Sequence, residues 1–219
     1  MISPLIPSAS LAGAAPRPTR IHLVRHGTTL LNRTRRYRGR IDVALDEGGW
    51  RDAWSAAAIL EDAGLEAVYS SPLRRARDTA RIVADAAGLA TVVDMPGLLN
   101  LAYGDWDGLT REEAAARDPE AFMAYNDYHP GATIPGGENL ELAAERMLLS
   151  MRLLALLHPG GTVAAVSHAA TVRLLISAVT GGVRADWRRA LPNGAVTVFD
   201  ATGTDVQPVD VPTQVLAGE

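Results

Sequence analysis

The 219-residue sequence contains no cysteine and no lysine, no apolar run of membrane-spanning length and no long block of like charge. Absence of cysteine excludes disulfides, thiol catalysis and thiolate metal sites, and is compatible with either redox compartment. Without a spanning run there is no transmembrane helix to expect. The formal charge of -4 gives no reason to expect a nucleic-acid surface. Residues 1–19 are rich in Pro, Ala and Ser and lack the basic start of a secretory signal, so they read as a mobile N-terminal extension of a cytoplasmic protein. Residues 20–210 then form one domain, apolar enough for a core, and 211–219 a C-terminal tail. No oligomeric state can be read from the chain.

The missing lysine leaves arginine to carry all 21 basic charges. Arg20, Arg25, Arg33, Arg35, Arg36, Arg38 and Arg40 all precede Asp42, the first acid, and such a local field suits an anion. A solvated basic loop is the competing reading for Arg33 to Arg40.

The apolar run from Ile21 stops at Arg25-His26-Gly27, which reads as a buried strand delivering a histidine at its carboxyl end, outside the core. Neutral histidine is a nucleophile. Arg25 beside it discourages protonation and offers a fork of donors to phosphate or carboxylate, while Gly27 leaves room for an oxyanion at the backbone. Leu65 to Tyr69 reads as a second strand, and Ser71-Pro72 as a helix start with Ser71 as N-cap. That puts Arg74 and Arg75 in a first turn, against the helix dipole. Arg75 and His26 are therefore expected to meet on one anion, helped by the helix amides, with Arg74 pointing to water. Thr162 to Val166 is a further strand, ending in Ser167-His168. Two histidines at matched strand ends point to a site; His22, His129 and His158 read as bystanders.

Between these landmarks, Asp46 to Asp62 has helical spacing of Trp50, Ala53, Trp54, Ala57, Ile59 and Leu60. Thr91 to Val93 reads as a short strand and Leu98 to Gly108 as a packed loop. Thr110 and Glu113 form a capping box before an alanine-rich helix, and Pro119 to Tyr128 is another short one. Glu138 to Leu157 is a long helix, Thr171 to Val179 a shorter one, and Ala195 to Phe199 with Val206 to Val209 a hairpin whose Pro208 marks an edge. The alternation predicts an α/β fold, a three-layer α/β/α sandwich with a mostly parallel sheet and helices on both faces. A segment of about 104–137 reads as a lid.

The ordered stretches LVRHGTTLLN, GRIDVALDEGG, SSPLRRARDTA, YGDWDGLT, PGGEN and VSHAATVR make the chain resemble the histidine phosphatase superfamily, also called phosphoglycerate-mutase-like. The resemblance implies the same architecture, with His26 attacking phosphorus and Arg25, Arg75 and His168 holding the phosphoryl group. Asn32, Gly27, Arg38 and Glu138 are candidates for substrate binding, and neither metal nor cofactor is implied. The expected partner is a small phosphate ester, not nucleic acid or membrane. Three positions before Tyr103-Gly104 the family carries an acid that protonates the leaving oxygen; here that residue is Asn100. Asp105, Asp107 and Glu138 are possible substitutes. Thr28 and Ala169 also depart from the usual glutamate and glycine. The implied activity is that of a metal-independent phosphomonoesterase. Alternatives are a cofactor-dependent phosphoglycerate mutase, which the short stretch between YGDWDG and PGGEN disfavours, and a phosphate-ester-binding protein with little turnover.

Overall fold

A computed structural model describes residues 17–129, 131–181, 187 and 189–210. The C-terminal tail and all but the last three residues of the expected N-terminal extension lie outside the described residues. Strand β1 (Thr19–Arg25) is followed by a short α1 (Leu30–Arg33), α2 (Glu47–Leu60), β2 (Ala67–Ser70), α3 (Arg74–Ala86) and β3 (Val92–Asp94). Two small helices, α4 (Arg111–Arg117) and α5 (Pro119–Asn126), precede the long α6 (Leu140–Leu157). The chain then runs through β4 (Thr162–Ser167), α7 (Ala169–Val179) and the antiparallel pair β5 (Val196–Thr202) and β6 (Asp205–Asp210). No helix among the described residues is long and apolar enough to cross a membrane.

The six strands form one mixed sheet in the order β3-β2-β4-β1-β5-β6. β3, β2, β4 and β1 run parallel, joined by helical crossovers, while β5 is antiparallel to β1 and β6 takes the edge, where Pro208 loses no inner ladder bond. Side chains alternate between two cores. Ile21 and Leu23 pack with Met147, Met151 and Leu154 of α6 and Val172, Leu175 and Ile176 of α7. Val24, Val68 and Val166 face Ala53, Ala56, Ala57 and Leu60 of α2 and Ala76, Ala80 and Val83 of α3. Burying each leucine- or valine-sized side chain contributes about 1.5–3 kcal/mol. The expected three layers are thus present.

Two local expectations are corrected. In α2 the buried stripe is Gly49, Ala53, Ala56, Ala57 and Leu60, whereas Trp50, Trp54 and Ile59 are 43%, 59% and 65% exposed. The first turn of the helix lies directly against the chain after β1: a Cβ on Gly49 would stand 2.1 Å from the Thr28 carbonyl oxygen. And α3 starts at Arg74 with Leu73 as N-cap, because Ser71 is still tied to the sheet through its amide, which donates to Val166 O at 2.9 Å.

A third core, apart from the sheet, joins Leu101, Tyr103, Trp106, Tyr125 and Ile134 to Leu140 and Leu174. Trp106 Nε1 donates to Asp118 Oδ2 at 2.8 Å, and the Tyr103 and Tyr125 hydroxyls meet at 2.9 Å. The capping box is formed, Glu113 N donating to Thr110 Oγ1 and Thr110 N to Glu113 Oε2. Around this core the segment expected as a lid is fastened to α6 and α7.

Candidate active site

Parallel pairing places Arg25 opposite Ser167, so the next residue of each strand, His26 and His168, leaves the sheet at the same edge. Their ring centroids are 5.0 Å apart. The backbone of His26 is held on both sides: its amide donates to Ser167 O at 3.1 Å, and its carbonyl accepts from Asn193 Nδ2 at 2.9 Å. Its ring is wholly buried, not merely at a strand end as expected. Nδ1 stands 2.6 Å from Gly27 O. A carbonyl only accepts, so Nδ1 carries the proton and Nε2 is left with its lone pair and no partner among the described residues.

His168 is turned by Ser71, whose Oγ lies 2.8 Å from Nε2 and also accepts from Leu73 N at 3.4 Å. Nδ1 of His168 has no partner among the described residues. Burial first, then the charges of Arg75 and other arginines, hold both histidines well below the ordinary imidazole value; for His26 the neighbouring His168 is the largest charge contribution. Both rings are therefore neutral at pH 7, as a nucleophilic imidazole requires.

Arg75 is fully buried, donating through Nη1 to Ile41 O at 2.7 Å and through Nη2 to Gly39 O at 2.9 Å. Burial and repulsion by Arg38 push it down to about 9, so it stays cationic at neutral pH. The amide of Arg74, expected to help bind an anion, instead donates to Asp42 Oδ1 at 2.7 Å, and the Arg74 side chain is exposed beside Asp78. Arg25 reaches the Leu191 carbonyl through Nη1 while its buried Nε has no partner among the described residues. Burial, Arg38 and Arg173 lower Arg25 to about 9.

Gly27 has a different reason from the expected one. Its amide donates to Thr79 Oγ1 at 3.1 Å, and the space of the missing side chain is filled by Gly49 O, 2.2 Å from where a Cβ would be. The glycine lets α2 touch the histidine loop. Asn32 uses Oδ1 to accept from Thr29 N and Oγ1, at 3.1 and 2.9 Å, and lines the adjoining cavity. Glu138 does not line it: its carboxylate is engaged by Arg146 Nε and Nη2 at 3.0 Å each, by Arg40 at 3.4 Å and by Ala102 N at 3.3 Å.

The cavity, of about 350 Å³, opens beside Arg25 and Ala169, the neighbours of His26 and His168 in the chain. Among the described residues six arginines line it and no aspartate or glutamate does. Asn100 is on its wall, nearly buried, with Nδ2 donating to Gly39 O at 3.1 Å. That bond fixes the amide so that Oδ1, an acceptor, is the atom without a partner among the described residues. Asp105 is exposed and paired with Arg117. Asp107, raised by burial, keeps Oδ1 buried against Gly39 without lining the cavity. None of the three carboxylates named as substitutes for Asn100 is on the cavity wall.

Sequence reasoning assigned Ser71 to a helix cap and passed over Arg173. Ser71 carried no signal for its contact, which joins residues 97 apart. Arg173 did: it is the only charged residue in α7, otherwise apolar or hydroxylic.

The family model described as histidine phosphatase superfamily (branch 1) matches residues 21–211. The chain is 41% identical over 170 residues to the bifunctional protein Rv2228c of Mycobacterium tuberculosis, covering 77% of this chain and 46% of that protein. It thus spans about half the length of that relative. It is 36% identical over 167 residues to the metal-independent phosphoserine phosphatase of Arabidopsis thaliana, covering 74% of this chain and 69% of that one. Among solved structures, mycobacterial glucosyl-3-phosphoglycerate phosphatase Rv2419c superposes with a TM-score of 0.79 at 27% identity, covering 89% of this chain and 99% of its own.

Proposed function

The chain belongs to the histidine phosphatase superfamily, and from its site we propose that it is a phosphomonoesterase, hydrolysing a small phosphorylated metabolite through a phosphohistidine at His26. The observation that carries this reading is the neutral ring of His26, proton on Nδ1 toward Gly27 O and a free lone pair on Nε2. In the first step Nε2 forms a bond to phosphorus while the bond to the ester oxygen breaks. Arg25, Arg75 and His168 surround the transferring group and meet the charge on its equatorial oxygens. The Ser71 hydroxyl donates a hydrogen bond to Nε2 of His168, which leaves Nδ1–H as the donor on that ring. In the second step water attacks phosphorus, the P–N bond breaks, and inorganic phosphate leaves with His26 neutral again.

The leaving oxygen must take its proton from water, since Asn100 offers an acceptor there. Esters with good leaving groups are accordingly the better substrates. The same observation supports a second reading, a phosphate-ester-binding protein with very slow turnover. Phosphate release from an aryl and an alkyl phosphate, by the purified protein and by His26→Ala, separates the two. Release that disappears in the variant supports the phosphatase; no release from either ester leaves the binding protein.

A further inference from the structure

The long helix α6 is apolar on its outer face as well as on its inner one. Inside, Met147, Met151 and Leu154 pack into the sheet core. Outside, Leu142, Leu149, Leu153, Leu156 and Leu157 are between 45% and 77% exposed, and the remaining exposed residues of the helix are Glu141 and Glu145. A helix with water along one side ordinarily carries polar side chains there, whereas one that is apolar all round is covered all round. The leucines together present on the order of 500 Å² of apolar surface, and contiguous patches beyond a few hundred Å² mark interaction sites.

Their spacing says what fits against them. Leu142, Leu149 and Leu156 recur every seven residues, so they fall on one line along the helix. That line is complementary to itself. Against a second α6 running antiparallel about a two-fold axis at Leu149, Leu149 meets its own mate, and Leu142 of each copy meets Leu156 of the other. The charges agree with this arrangement. Glu145 and Arg152 lie on the same flank of the line, four residues before Leu149 and three after it, and neither forms an ion pair with a described residue. The stem of Arg152 is held in place, its Nε donating to Thr204 O at 2.9 Å. A two-fold axis keeps flanks together and reverses direction, so Glu145 of one copy faces Arg152 of the other, twice. Two such patches bury about 1,000 Å² between them, the area at which a specific interface becomes stable, with an apolar centre and a charged rim.

We propose that the outer face of α6 is an interface with a second copy of this chain, the two helices packing antiparallel about Leu149 with Glu145 and Arg152 paired across the seam. The surface is separate from the cavity beside His26 and does not depend on what that cavity binds.

Sedimentation equilibrium of the purified full chain tests the association, and the absence of cysteine allows its geometry to be tested as well. The wild type is expected to be a dimer at about 10 µM chain, with a dissociation constant in the micromolar range or below. Leu149→Glu sets two carboxylates against each other at the axis and should raise that constant by about 100-fold or more, with an unchanged far-ultraviolet circular dichroism spectrum. Glu145→Arg and Arg152→Glu should each weaken the dimer, and the two together should restore it. Under mild oxidation Leu149→Cys should give a disulfide-linked dimer, whereas Leu142→Cys should not, because the two copies of that position stand about 20 Å apart along the seam. A wild type that stays monomeric at every concentration overturns the proposal and leaves the leucines to another occupant. A dimer that Leu149→Glu does not weaken, or one that cross-links through Leu142→Cys as readily as through Leu149→Cys, overturns the assignment to this face of α6.

Discussion

His26 and His168 each stand one residue past a paired position of neighbouring parallel strands, Arg25 opposite Ser167, and their rings face one another at 5.0 Å. Sheet register alone brings together residues 142 positions apart, since 168 − 26 = 142. The chemistry of the site depends on that register. A slip of one residue in β4 would turn His168 to the other face of the sheet.

The first prediction concerns the covalent intermediate. Rapid acid-free quenching with a ³²P-labelled aryl phosphate should trap label on wild-type protein, stable in base and lost in acid, as phosphohistidine is. His26→Ala should trap none and should lose roughly 10⁴-fold or more in kcat. Label retained by that variant would mean that the nucleophile is another residue.

Asn100 gives the second. With no carboxylate on the cavity wall among the described residues, aryl phosphates should exceed alkyl phosphates in kcat by about 10²- to 10⁴-fold, the worth of general acid help to a poor leaving group. Asn100→Asp is nearly isosteric and faces the Gly39 carbonyl, which favours its protonated form. It should speed alkyl phosphates selectively, by about 10-fold or more. An unchanged aryl-to-alkyl ratio in this variant would show that the proton already comes from elsewhere, with Asp107 the first carboxylate to examine.

Stability should fall on the acid side. Both site histidines have folded-state values lowered well below 6.5, so below that pH the unfolded chain binds more protons than the folded one. The stabilisation is complete above 6.5 and is lost as pH falls, by up to about 1.4 kcal/mol per pH unit for each histidine. Urea midpoints taken between about pH 7.5 and about pH 5.5 should decline, and less steeply in His168→Gln. A flat profile would mean that folding does not depress either histidine.

Gly27→Ala supplies the fourth. Its Cβ would lie 2.2 Å from Gly49 O, a backbone atom that cannot move without shifting the start of α2. The expected loss is about 3 kcal/mol, seen as a lower denaturation midpoint. Near-wild-type stability would contradict the close approach of α2 to the histidine loop.

Much of this was legible before any coordinates, for a physical reason. Strand and helix periodicity, the capping box at Thr110 and Glu113 and the edge marker Pro208 are local signals, written within a few residues. The two histidines and Arg75 were legible because each breaks a local rule, an ionisable group ending an apolar run or a cation in a first helical turn. The apolar stripe of α2 was misread at Trp50, Trp54 and Ile59, because periodicity defines a face without saying which edge of it meets the core. The engagement of Glu138 by Arg40, and of Gly27 by Gly49, could not be read, because the partners are distant in the chain.

By itself the sequence determined the alternation of strands and helices, the strand ends that carry His26 and His168, and the amide where an acid was expected. Tertiary structure alone decided which nitrogen of His26 is free, that Ser71 turns His168, and that among the described residues no carboxylate reaches the cavity wall that Arg38 and Arg173 line. These are properties of position in space: a tautomer is set by the atom that faces the ring, and a charge is unneutralised only relative to what the fold places around it.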